Sequence, residues 1–174
     1  GEVDFRDPRR DHKHGRIWRI SFPENPPAPF TKPAEMNSMA LAEALLFSEE
    51  NIIRELSTAE LRTRKPDEML SALNSLELKD DLHLLRRVWA TQALNRLDIG
   101  LAKQLTKSKS HNARAAGLRA IYYDASNKKY KNILSIAEAA VSDLSPHVRL
   151  WGVSLLAQLD HPKTVAIALR ALEG

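Results

Sequence analysis

After Pro33 the apolar residues recur at steps of three and four, the period of helices with one buried side, and this texture continues to the end of the chain. Val148, Trp151, Leu155, Leu156 and Leu159 form one such stripe; Leu85, Val88, Trp89, Leu94 and Leu97 form a second; Leu118, Ile121 and Tyr122 with small Ala115 form a third. Trp89 and Trp151, both on stripes, read as core residues rather than ligand platforms. Ser48 ahead of Glu49-Glu50, Pro66-Asp67-Glu68, Asp80-Asp81, Ser110, Ser145-Pro146 and His161-Pro162 each supply a capping side chain or a first-turn proline. The pattern predicts eight or nine helices of roughly 8 to 17 residues.

The chain before this point has a different texture. Residues 22–33 hold five of the nine prolines, a density that removes backbone donors and favours extended conformations, so 22–37 reads as a linker. Ahead of it, Arg16-Ile17-Trp18-Arg19-Ile20 follows a charged turn-like run and predicts one short strand within residues 1–21. A lone strand cannot satisfy its own backbone groups, so its partners are expected in a sheet outside this sequence.

The helices resemble one another. Arg87-Val88-Trp89 with Leu94, Leu97 and Asp98 aligns on Arg149-Leu150-Trp151 with Leu156, Leu159 and Asp160 at a constant offset of 62, and Arg54 and Arg114 fit the same frame. The four arginines are separated by 33, 27 and 35 residues, close to one helix pair each. A pair that cannot close its own core must stack on its neighbours. Ser145-Pro146-His147-Val148-Arg149-Leu150-Trp151-Gly152-Val153 resembles the turn and second helix of a HEAT repeat, and Ser108 to Ala116 and Leu84 to Ala93 resemble weaker copies. The resemblance spans residues 38–174 and implies an all-α fold, a right-handed α-solenoid of about four HEAT-like helix pairs.

A second resemblance lies at the other end. Asp7-Pro8-Arg9-Arg10-Asp11 through His14-Gly15-Arg16-Ile17-Trp18-Arg19-Ile20 resembles the closing strand of a glucose/sorbosone-dehydrogenase-like β-propeller in large membrane-bound-dehydrogenase-type proteins of bacteria. In those proteins a Pro-rich joint and HEAT-like repeats follow the propeller. The resemblance implies a soluble fragment of a larger multidomain protein, periplasmic or extracellular, with the propeller's catalytic and cofactor residues outside this sequence.

Composition narrows the chemistry. Apolar residues at 43% and charged residues at 28% exclude wholesale disorder, and no apolar run reaches the roughly 20 residues of a spanning helix. The N-terminus shows no signal-peptide pattern. Absence of cysteine excludes disulfides, thiolate metal sites and a cysteine nucleophile, without fixing the compartment. No glycine-rich phosphate loop and no Gly-x-Ser-x-Gly occurs. His12 and His14 with Asp7 and Asp11 could sketch a metal cluster, but a solvated turn explains them better. Glu49-Glu50, Asp67-Glu68 and Asp80-Asp81 fall in first helical turns, where the helix dipole accounts for paired acids. No catalytic, metal or cofactor residue is therefore assigned, and an enzyme complete in this chain is not expected.

Charge is the remaining signal. Residues 34–102 carry a net −4 and residues 103–131 a net +7, set against −1 for 132–174 and +2 for 1–33. Lys103, Lys107, Lys109, Arg114, Arg119, Lys128, Lys129 and Lys131 are opposed within that segment by Asp124 alone and interleaved with Tyr122, Tyr123 and Tyr130. They form the candidate binding surface. The reading is a non-catalytic protein-interaction or spacer module that contacts another protein or neighbouring domains; the alternative is a nucleic-acid-binding helical repeat protein using the basic segment.

Overall fold

A computed structural model describes residues 30–125 and 132–172. The chain divides into two compact units, Gly1–Thr31 and Lys32–Gly174. The expected strand at Arg16–Ile20, His12 and His14, and linker residues 22–29 lie outside the described residues, as do Lys128, Lys129, Tyr130 and Lys131. The described residues form helices and their connections, without a strand. Among them nine α-helices follow in order: α1 (Ser38–Phe47), α2 (Asn51–Leu61), α3 (Pro66–Ser75), α4 (Asp81–Ala93), α5 (Ile99–Leu105), α6 (His111–Ala125), α7 (Ile133–Val141), α8 (Pro146–Leu156) and α9 (Thr164–Leu169). Short 3-10 turns flank them at Pro33–Glu35 and Arg170–Leu172.

Local chemistry sets the ends. The Asp80 carboxylate accepts the His83 backbone N–H at 2.9 Å to open α4, while Asn37 and Asp98 cap α1 and α5 in the same way. Pro66 and Pro146 occupy the first turns of α3 and α8. The entry expected at His161-Pro162 falls later, at Thr164, because His161 closes its own turn by accepting the Lys163 N–H at 3.2 Å on Nδ1. Helix α4 stops at Asn95, whose φ of 55° is left-handed; the Arg96 N–H reaches back to the Thr91 carbonyl at 2.9 Å, a Schellman closure.

The helices pair along the chain, α1 against α2, α5 against α6 and α7 against α8, and the second members pack in turn, α2 on α4, α4 on α6, α6 on α8. Counted from the first residue of each second member, position 4 is Arg54, Leu84, Arg114 and Arg149. The three arginines make one recurring bond, from Nη1 to the carbonyl six residues back: Ser48 at 2.7 Å, Ser108 at 2.9 Å and Asp143 at 3.0 Å. Position 7 is buried each time and is Ser57, Arg87, Gly117 and Gly152. A Cβ on Gly117 would lie 2.8 Å from the Ala102 carbonyl oxygen, and one on Gly152 would lie 2.8 Å from the Val141 backbone nitrogen. The glycines are what lets the paired backbones touch.

Helix α4 breaks this frame. Arg87 fills its position 7 and donates Nη2 to the Leu76 carbonyl, and α3 packs on α1 rather than tightly on α4. Burial holds the Arg87 guanidinium below its ordinary pKa, with Asp98 opposing. The alignment of Arg87 with Arg149 is therefore one turn out, and position 4 recurs at intervals of 30, 30 and 35 residues. Arg87 binds the connection before α4 as the other arginines bind theirs, but from position 7 instead of position 4.

Two cores result. Leu41, Leu45, Leu46, Leu61, Met69 and Leu73 surround Ala90 and Leu94 of the α4 end in the first. Leu84 and Val88 of the same helix join Leu105, Leu118, Ile121, Val141 and Leu155 in the second. With two sides of α4 buried, Trp89, one residue and about 100° on from Val88, points away from both and is 48% exposed. The expectation that Trp89 is core is corrected. Trp151 is half-buried and packs on the second core.

Candidate functional site

The outer side of α4 carries a second stripe, Leu82, Arg86 and Trp89, at steps of four and three, and Ala93, four further on, carries it to the edge of the first core. Helix α6 presents Ala116, Arg119 and Tyr123 beside it, and α2 presents Glu55 and Thr58, with Arg62 just past its end, on the other flank. Between α2 and α4 these residues enclose a cleft of about 460 Å³, floored by Leu45 and Ala90. Between α4 and α6 they enclose another of about 680 Å³. The two share Thr58, Arg62 and Trp89, so they form one groove with the indole at its centre.

Its electrostatics are one-sided. Arg54, Arg62, Arg86 and Arg119 line the groove, and among the described lining residues the one acid is Glu55. Arg54 is anchored at Ser48 and also donates to Asn51; Arg86 donates Nη1 to the Leu46 carbonyl at 2.6 Å. Burial and then the neighbouring Arg54 charge hold Arg86 below its ordinary pKa, despite Asp80 and Glu49. The Arg119 guanidinium lies 5.7 Å from the Tyr123 ring centroid. Beyond it, Tyr122 meets Trp151 edge-on at 5.6 Å, and Tyr123 approaches the same indole at 6.2 Å.

Five of the residues in the expected basic surface are described, and of these only Arg119 belongs to the groove. Arg119 lines the groove, whereas Lys103 lies on α5 and Lys107 and Lys109 in the turn after it, none of them among the groove's lining residues. Arg114 is committed to the fold: its Nε and Nη2 donate to the two Asp143 carboxylate oxygens at 2.7 and 2.8 Å. The groove arginines of α2 and α4 escape a count of segment charge because residues 34–102 are net acidic. The signal that finds them is the second stripe on α4, with Leu82 and Trp89 facing away from Leu84 and Val88.

With Glu55 as the one carboxylate and no histidine among the described lining residues, the arrangement offers no acid and base pair. It can hold anionic groups beside an apolar surface. Among the described residues no three His, Asp or Glu side chains gather as a metal site would require, and no helix is long and apolar enough to cross a membrane. Fold and groove together define, among the described residues, an all-helical body with a basic, aromatic surface channel. No protein-family model, no curated protein and no solved structure matches the chain.

Proposed function

We propose that this chain is a non-catalytic interaction or spacer module of a larger multidomain protein, a right-handed α-solenoid of HEAT-like helix pairs whose contact surface is the α2–α4–α6 groove. The recurring position-4 arginine and position-7 small residue support the repeat reading. The observation that carries the functional reading is Trp89, a large aromatic left 48% exposed between arginines where three helices line up. Trp, Tyr and Arg are the side chains that dominate binding energy at protein interfaces. The resemblance to propeller-linked dehydrogenases suggests a module that comes after a β-propeller, in the periplasm or outside the cell, with another domain or protein as partner and no cofactor of its own.

Affinity capture with the wild-type chain and with a Trp89→Ala, Arg119→Glu variant tests this. The expected result is at least one partner lost from the variant; identical captures would remove the groove as the contact surface. A second reading, a nucleic-acid-binding helical repeat protein, is favoured by the Arg119 and Tyr123 pair, a cation beside a stacking face. A mobility shift with single-stranded or duplex DNA, abolished by Arg119→Glu, would establish it.

A further inference from the structure

The contact surface proposed for this chain has a charge pattern and a length that define a narrower class of occupant, and the assignment of that occupant rests on the interaction-module reading. Arg54 and Arg86 line the cleft on one side of Trp89, Arg119 lines the cleft on the other, and Arg62, like Trp89, lines both. The Arg62 guanidinium has no hydrogen-bond or ion-pair partner among the described residues. Of the five N–H groups that each guanidinium carries, Arg54 and Arg86 spend only part on backbone carbonyls and, for Arg54, Asn51. Trp89, 48% exposed, offers apolar surface between the two ends, and Leu82, 50% exposed, extends it into the cleft of Arg54 and Arg86.

The charge is local. Residues 34–102 are net −4, yet of their acids only Glu55 lines the groove, with Asp80 and Glu49 near enough to act on Arg86. A long polyanion would need a broad positive field, whereas among the described residues the positive charge at this site is that of four arginines gathered in the groove. A short segment would not. Three helices set roughly 8 to 10 Å apart give a channel of about 20 Å, the span of about six extended residues at ~3.3 Å each.

We infer that the groove binds an extended acidic segment of another protein chain, about six residues long, with carboxylates on Arg54 and Arg86 at one end, a carboxylate on Arg119 at the other, and between them an apolar side chain against Trp89 with a carboxylate on the neighbouring Arg62. Guanidinium forks pair with carboxylates bidentately, which fixes the segment's register, and the indole supplies the desolvated centre.

The test is selection of a phage-displayed library of random twelve-residue peptides on the whole chain, followed by fluorescence anisotropy with a labelled synthetic copy of the most enriched peptide. Enriched sequences are expected to be net negative and to carry a Leu, Phe or Trp. Affinity should fall at least ten-fold with Trp89→Ala, with Arg62→Glu plus Arg119→Glu, and when the peptide's Asp and Glu become Asn and Gln. Circular dichroism verifies that these variants, changed only at exposed positions, remain folded. Neutral or basic peptides that still lose binding with Trp89→Ala would overturn the acidic assignment and leave the interaction surface standing. No enrichment, or peptides indifferent to every groove variant, would overturn both. A labelled twenty-nucleotide oligothymidine that binds through Trp89 and Arg119 where no acidic peptide does would assign the groove to nucleic acid.

Discussion

Asp143 ties the turn before α8 to the helix behind it. Its carboxylate accepts two hydrogen bonds from Arg114 and one from the Ser145 N–H at 2.8 Å, with the two side chains only 19% and 15% exposed. The hydrogen bond from Arg114 holds the Asp143 carboxyl below its ordinary pKa, helped by the Ser145 N–H and the charges of Arg114 and Arg149 and opposed by burial. A depressed acid contributes stability that is fully present above its unfolded pKa and lost as the pH falls through the folded value, so this contribution fades below about pH 4. Asp143→Asn is expected to cost about 2 kcal/mol at pH 7, measured by urea titration, with the gap to wild type closing as the pH approaches 3. A gap that ignores pH would show that the charge contributes nothing. The sequence marked Arg114 as a binding residue because Asp143 stands 29 residues away, where counting local charge does not look.

The paired helices depend on what occupies position 7. Gly152→Ala places a methyl within 2.8 Å of the Val141 backbone and 2.9 Å of the Ala140 Cβ, and Gly117→Ala crowds Ala102 and Leu105 in the same way. Backbone cannot give as a flexible side chain can, so each change is expected to cost about 1 to 3 kcal/mol, read as a lowered urea midpoint. Unchanged midpoints would mean that the α5–α6 and α7–α8 pairs separate without penalty. Helical periodicity and most entries were legible in the sequence, since caps and prolines act within a turn. Register was not, because Arg87 also binds a carbonyl of the preceding connection, but from position 7 of its helix and not position 4. Nor was the orientation of Trp89 beside Val88: adjacent residues on a stripe look alike until both buried sides of the helix are known.

For the molecule as a whole, the buried apolar residues described run from Leu41 to Ile167, within the unit Lys32–Gly174. Arg64 draws the start of that unit into the body by donating Nη2 to the Met36 carbonyl at 3.1 Å and to that of Ala34 at 3.2 Å. Removing residues 1–21 is therefore expected to leave helical circular dichroism and the melting temperature nearly unchanged. Melting more than about 10 °C earlier, well above the few degrees that 1 kcal/mol moves a domain of this size, would make the first unit part of the helical fold. Among the described helices α4 alone contributes buried residues to both cores, and its outer side is also the wall of the groove. Each core can open as its own cooperative unit, with its own amide-exchange behaviour, so long as α4 holds for the other. Whatever fills the groove clamps that shared helix, and by linkage its binding energy slows exchange in both halves of the protein while touching only one face of it.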